Sequence, residues 1–324
     1  MKKQYTIPVF VPHIGCPHSC VFCNQNTITG AESVVTAETV RETVEQHLEY
    51  IGNSASYVEV AFFGGSFTGI DMTLQTSLLE AAYEFVADGR VDGLRCSTRP
   101  DFITPEILEN LKKYDMKTIE LGVQSTDSEV LLKSARGHSR EDVFAASRLI
   151  KEYGFDLGLQ MMPFLPGDTR EKTLQTARDI ISLAPQCVRI YPTLVVKGTA
   201  LYTMYERGSY SPAELESAVE ICAELTEMFE DAGIDVIRIG LQTTDSINAA
   251  TVKGPYHEAL GELVYSRIYR HRIEKYIADR GAEGDFIYYV PPGDVSKAVG
   301  HKKANTEYFK QKYNIDITIR EKQR

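Results

Sequence analysis

No apolar run in this 324-residue chain approaches the roughly 18–20 residues that a membrane span needs. Met1-Lys2-Lys3 is a charged start of the kind that opens a signal peptide, but the stretch from Ile7 to Ile14 is short and broken by Pro8, Pro12 and His13. Ile14-Gly15 before Cys16 suits a lipidated cysteine, yet His13 stands where such a site carries an apolar residue. A cytoplasmic location is the expectation. Positive charge is also short: 35 Lys and Arg against 45 Asp and Glu leave a net charge of −10. That balance argues against a nucleic-acid coat or a membrane-surface protein as the role of the whole chain. Sequence repeats and low-complexity linkers are missing too. With 43% hydrophobic and 25% charged residues, the composition is that of a globular protein.

The charge is unevenly placed. Val264 to Arg324 holds 13 Lys and Arg against 8 Asp and Glu, a net of +5, which leaves −15 for the first 263 residues. An acidic body with a basic tail is the result.

Through the body, β-like and helix-like segments alternate. Tyr5–Pro12, Val58–Phe63, Leu94–Thr98, Thr118–Val123, Phe155–Met162, Val188–Pro192 and Asp235–Leu241 read as strands. Helical patterns lie between them, from Thr36–Ile51 to Pro212–Ala232. Repeated strand–helix units give parallel strands joined by right-handed crossovers, in a doubly wound sheet or a barrel. Unusual residues cluster just after strand ends, notably at Gly64–Thr68, Ser97–Asp101, Gln124–Ser125 and Gln160–Pro166. Barrel active sites are built at that face, so the pattern predicts an α/β partial or complete (β/α) barrel.

Three of the six cysteines, Cys16, Cys20 and Cys23, crowd into one loop with the spacing C-x3-C-x2-C. Cys96, Cys187 and Cys222 lie in apolar stretches and read as buried structural thiols. Three thiolates on one loop can hold three irons of a 4Fe–4S cluster, and no fourth cysteine lies nearby to close it. The alternative is a zinc site with His13 or His18 as fourth ligand, although structural zinc sites usually add a second, distant cysteine pair.

This loop, with Phe22 before its last cysteine, resembles the signature of radical S-adenosylmethionine (SAM) enzymes. The resemblance implies a partial (β/α)6-type radical SAM barrel over residues 1–250, a 4Fe–4S cluster on Cys16, Cys20 and Cys23, and SAM chelated at the open iron. It also implies a reductant such as flavodoxin or ferredoxin, and reductive cleavage of SAM to a 5′-deoxyadenosyl radical. Gly64, Gly65 and Ser66 resemble the family's glycine motif, whose backbone carbonyls meet the SAM amino group.

Thr98-Arg99-Pro100-Asp101, Leu121–Ser125, Met161-Met162-Pro163 and Tyr191–Val195 are similar to the radical SAM domain of the Elongator catalytic subunit, which modifies tRNA uridine. Glu129 through Arg136 is similar to oxygen-independent coproporphyrinogen oxidase. These similarities imply that Arg136 contacts the SAM carboxylate. They put Gln124 and Gln160 against the ribose or methionine part, with Ser97 and Arg99 lining the same pocket. The Elongator subunit differs in a longer gap between its first two cysteines, in Glu at the place of Ser97 and in His at the place of Gln160. It also carries an acetyltransferase domain after its barrel. No segment here reads as one, so the radical-initiating half is the part expected to carry over.

Beyond the barrel, 251–283 reads as a basic helical connector with Arg267, Arg270 and Arg272, and 284–324 as a small α+β C-terminal extension. Its order of strand, helix, Gly300-His301-Lys302-Lys303 turn, helix and strand looks like a KH-type module, whose GXXG loop clamps single-stranded nucleic acid. Lys303 stands at the second glycine position. The expectation is a radical SAM enzyme acting on RNA, with tRNA favoured. The alternatives are a radical SAM enzyme for a small molecule or tetrapyrrole, and a non-catalytic iron–sulfur or zinc RNA-binding protein.

Overall fold

The computed structural model describes residues 4–11, 16, 18–23, 35–52, 55, 57–241, 245–281 and 284–322, with 245–247 by their backbone alone. His13 therefore lies outside the described residues.

Seven strands form one parallel sheet: β1 (Gln4–Val11), β2 (Tyr57–Gly64), β3 (Gly93–Thr98), β4 (Met116–Gln124), β5 (Asp156–Met161), β6 (Cys187–Ile190) and β8 (Asp235–Ile239). They hydrogen-bond in the order β1-β2-β3-β4-β5-β6-β8, so each neighbour is the next strand of the sheet along the chain. A single winding sense of this kind keeps the crossover helices on one face and curls the sheet into a half-barrel. The helices are α1 (Ala37–Ile51), α2 (Met72–Ala87), α3 (Pro105–Lys113), α5 (Arg140–Glu152), α6 (Arg170–Ser182) and α8 (Leu215–Asp231). Two short helices, α4 (Ser128–Lys133) and α7 (Ala200–Glu206), lie in the connections. Side chains write the starts: Thr36 caps α1, Asp71 caps α2, Thr104 caps α3, and Ser139 with Asp142 forms a capping box on α5.

Strand side chains alternate between the faces. Ile119, Leu121 and Val123 of β4, with Leu157, Leu159 and Met161 of β5, join the helices in the main apolar core. The other face is ionic. Arg95 donates from Nε to Glu59 at 3.0 Å and from Nη1 to Glu120 at 2.8 Å. Arg189 donates to both Glu120 oxygens, at 2.5 and 3.0 Å. Glu59, Arg95 and Glu120 are all buried. Burial alone would raise the Glu120 carboxyl, but the bonds and charge of Arg189 and Arg95 outweigh it and hold it below the ordinary range.

Burial raises the Cys96 and Cys222 thiols, which is the behaviour of inert core residues. Cys16, Cys20, Cys96, Cys187 and Cys222 are free thiols. No described helix is long and apolar enough to cross a membrane.

Past β8 come α9 (Asp245–Ala250) and β9 (Thr251–Lys253), the latter paired antiparallel with β7 (Val195–Val196). Then α10 (Leu260–Arg280) runs between two cores. Leu260, Val264 and Ile268 complete the main core, while Ile273 and Ile277 join Phe309, Ile315 and Ile317 in a small one. The extension holds β10 (Phe286–Val290), α11 (Val295–Val299), α12 (Ala304–Tyr313) and β11 (Ile317–Glu321), with β10 parallel to β11.

The basic helix is less free than its composition suggests. Arg267 pairs with Glu216 and Glu220, and Arg272 with Glu227 and Glu230, all on α8. Arg270 bonds Asn305 at 3.0 Å and lies over the Tyr308 ring. These arginines tie the extension to the body. In the loop between α11 and α12, His301, Lys302 and Lys303 are all exposed. Lys302 and Lys303 both take positive φ, 50° and 66°, the left-handed region that favours glycine.

Candidate active site

The cysteine loop sits over the carboxyl ends of the strands, docked by its backbone. Val21 N donates to Ser134 O at 3.1 Å, and Leu201 N donates to Val21 O at 2.7 Å. Val21 and Phe22 pack against Val195, Leu201 and Tyr210. A tight turn follows, with Cys23 N donating to Cys20 O at 3.0 Å, and the Cys16 thiol lies 3.8 Å from His18 O.

Cys20 is buried between two guanidinium groups. Arg136 Nη1 lies 3.6 Å from its sulfur and Arg99 Nη1 3.8 Å. Each arginine is fixed by other groups. Arg136 donates from Nη2 to Gly122 O at 2.5 Å. Arg99 meets Asp101 through two bonds, at 2.9 and 3.0 Å, and donates to Arg136 O at 2.6 Å. Burial alone would raise the Asp101 carboxyl, but Arg99 outweighs it and holds the group below the ordinary carboxylate range.

Arg136 is 6% exposed, and its buried Nε has no partner. Burial lowers the pKa of this guanidinium, with Cys20 opposing and the Arg99 charge adding to the effect. A buried donor left unpaired costs about 1–3 kcal/mol, which an anionic ligand would relieve. Three cysteine thiols on one loop, with two cations at the buried one, form a donor set that suits a thiolate-ligated cluster and a carboxylate beside it.

The other expected residues lie along the same strand ends. Ser97 is half-buried on β3, on the face of Arg95 and Arg99. Gln160 Nε2 donates to Gln124 Oε1 at 3.0 Å, and Gln124 itself has a φ of 65° where β4 slips register against β5. Gly64, at φ 104°, ends β2, and Gly65 N donates to Val11 O at 3.0 Å. Ser66 is buried. A Thr68–Thr98 hydroxyl contact of 2.5 Å ties this glycine segment to the end of β3. Gly300, His301, Lys302 and Lys303 are not part of this group. His301 stacks edge-on with His257, their centroids 6.0 Å apart.

Four residues were given no individual role by the sequence reading. Asp101 is the anchor of Arg99, signalled only by its place two residues on. Gly122 leaves room for its neighbours: a Cβ there would stand 2.8 Å from Gln124 Nε2 and 2.9 Å from Arg136 Nη2. Gly137, at φ 78°, lies under the His18 ring. His138 Nε2 is 3.2 Å from Val123 O, and its Nδ1 is buried without a partner. The carbonyl only accepts, so Nε2 carries the proton. Burial, with Arg136 and Arg99 nearby, pushes His138 down to about 3.

The zinc alternative asked His13 or His18 to complete a ligand set; His13 lies outside the described residues, and the structure places His18. Its Nε2 lies 3.5 Å from Asp101 Oδ2 instead. Among the described residues no three His, Cys, Asp or Glu side chains converge as around a single metal ion.

Residues 10–180 match the Radical SAM superfamily, and residues 185–270 match the Radical_SAM C-terminal domain. The tRNA uridine(34) acetyltransferase of Methanocaldococcus jannaschii is 28% identical over 80% of this chain and 54% of its own length. Elongator complex protein 3 of Homo sapiens is 27% identical over 57% of this chain and 37% of its own length. Among solved structures, Methanocaldococcus infernus Elp3 with an N-terminal deletion superposes with a TM-score of 0.66 at 26% identity, over 87% of this chain and 64% of that one. Escherichia coli coproporphyrinogen III oxidase (HemN) shares the fold, with a TM-score of 0.53 at 17% identity over 72% of this chain and 53% of that one. The chain spans about half the length of the archaeal relatives it matches, 54% and 53%. Strand order, cysteine loop and a family match over more than half of the chain agree: this is an enzyme of the radical SAM superfamily.

Proposed function

We propose that this enzyme cleaves SAM reductively on a 4Fe–4S cluster held by Cys16, Cys20 and Cys23, and that it modifies RNA, with tRNA as the substrate class. The observation that carries the first half is the buried Cys20 between Arg136 and Arg99, with the unpaired Arg136 Nε beside it. When bound, the cluster supplies one electron to the SAM sulfonium and so yields the 5′-deoxyadenosyl radical.

The chain's own side chains bind and orient. Arg136 takes the SAM carboxylate through Nε, with Nη2 braced on Gly122 O. Gly64, Gly65 and Ser66 offer backbone carbonyls to the amino group. Ser97 and the Gln124–Gln160 pair face the ribose and methionine part. Phe22 and Val21, packed under Val195 and Leu201, keep water from the loop.

The RNA half rests on the tail and on the tRNA-modifying relatives. Lys302 and Lys303 present two exposed charges on a left-handed turn, close to His257 through the His301 ring. Such a loop approaches a phosphate backbone closely. Filter binding of bulk tRNA against salt tests the reading. We expect a steep negative salt slope that loses roughly one unit for each of Lys302→Ala and Lys303→Ala. We also expect tRNA to stimulate 5′-deoxyadenosine formation. Salt-independent or absent binding, with SAM cleavage intact, would turn the substrate search to small molecules.

A further inference from the structure

Family resemblance places Arg99 in the SAM pocket, but its bonds point elsewhere. A guanidinium has five N–H donors. Four are engaged: two on Asp101, one on Arg136 O, and one aimed at Cys20 Sγ at 3.8 Å. The residue is 2% exposed and its guanidinium lies over the Phe102 ring. Turning it toward SAM would break the Asp101 pair inside the protein, which is costly once the partners are desolvated. Arg136 differs at the decisive atom, since its Nε is free for a ligand.

We infer that Arg99 is a positioning residue for the cluster ligand Cys20 and that its charge raises the cluster's reduction potential. The chain of contacts is continuous. Asp101 holds Arg99, Arg99 holds the Arg136 carbonyl and the Cys20 sulfur, and Asp101 also meets His18 of the cysteine loop. The loop is thereby strapped to the segments after β3 and β4. A fixed cation beside a thiolate ligand stabilises the reduced cluster more than the oxidised one, because the reduced form carries one more negative charge. The Asp101 carboxylate cancels one of the two guanidinium charges at a distance, so a net positive field remains at Cys20.

The inference rests on Cys20 as a cluster ligand. That reading is tested separately by the iron and sulfide content of Cys20→Ala. Arg99→Met, Arg99→Lys and wild-type protein are reconstituted anaerobically. Iron per chain is measured, the cluster potential is titrated by electron paramagnetic resonance without SAM, and SAM affinity is determined by equilibrium dialysis. We expect Arg99→Met to lower the reduced-to-oxidised ratio at fixed potential about tenfold, a shift of about 59 mV for one electron. Arg99→Lys restores most of that shift, and SAM affinity is unchanged in both. Should Arg99→Met lose its cluster, retention in Arg99→Lys supports the role and loss in both overturns it. An unchanged potential in Arg99→Met, or lost SAM affinity in both variants, also overturns it. Full iron in Cys20→Ala would instead remove the cluster reading on which the role rests.

Discussion

The His18 ring rests on the bare backbone of Gly137: a Cβ on Gly137 would stand 2.2 Å from His18 Cε1. One residue of the cysteine loop is thus seated on the segment that carries Arg136. Gly137 also has a φ of 78°, a conformation that costs a side-chain-bearing residue roughly 1–2 kcal/mol. Gly137→Ala is predicted to lift the loop and lower the iron retained per chain after reconstitution, with only a small drop in thermal stability. Full iron content with a large stability loss would place the role of Gly137 in folding alone.

Arg136 is the side chain we assign to the SAM carboxylate. Arg136→Ala is predicted to weaken SAM binding by roughly 1.5–3 kcal/mol, the scale of hydrogen bonds to charged groups. Equilibrium dialysis with reconstituted protein measures it. An unaltered dissociation constant removes the assignment.

Beneath the site, Glu120 is shared by Arg95 and Arg189. Removing one member of a buried ion network leaves charges without a counterion. Glu120→Ala is therefore predicted to cost about 3–5 kcal/mol. Glu120→Gln keeps the hydrogen-bond acceptor and is predicted to cost less. Denaturant unfolding separates the two. Equal, small losses would mean that water or movement of Arg95 compensates.

His138 makes stability depend on pH. Its folded value is about 3, against about 6.5 in an unfolded chain. Between those values the unfolded chain binds a proton that the folded one refuses, so stability rises with pH through the window and falls as pH drops through it. His138→Gln keeps a donor for the Val123 carbonyl and has no such titration. The difference in thermal midpoint between about pH 5 and about pH 7 is predicted to shrink in that variant. An undiminished difference would assign the acid sensitivity to other groups.

Much of the fold was legible because alternation and caps agree. The helix expected over Thr36–Ile51 and the strand over Leu94–Thr98 stand within a residue of where the pattern set them, with Thr36 capping the former. The helices 128–133 and 200–206 are only 6 and 7 residues long, too short for a helical period to show. Charge counts misled about Arg267 and Arg272, because a sequence does not show that α8 brings Glu216, Glu220, Glu227 and Glu230 alongside.

In the site, cysteine spacing picked out Cys20 and family resemblance picked out Arg99 and Arg136, and the fold brings these three together. What each arginine bonds depends on backbone atoms distant in sequence, such as Gly122 O, and motif spacing carries no information about those. Arg99 shows the gap most plainly: its partner Asp101 stands two residues away, yet nothing in the order of residues tells that its other donors turn to the Arg136 carbonyl and the Cys20 sulfur.

The central claim is reductive SAM cleavage at the cysteine loop. The most direct measurement is anaerobic: reconstitute with iron and sulfide, reduce with dithionite, add SAM, and quantify 5′-deoxyadenosine in wild type and in Cys20→Ala. The account predicts formation in the wild type and none in the variant. An intact, reduced cluster that forms no 5′-deoxyadenosine would contradict it, as would undiminished formation in Cys20→Ala.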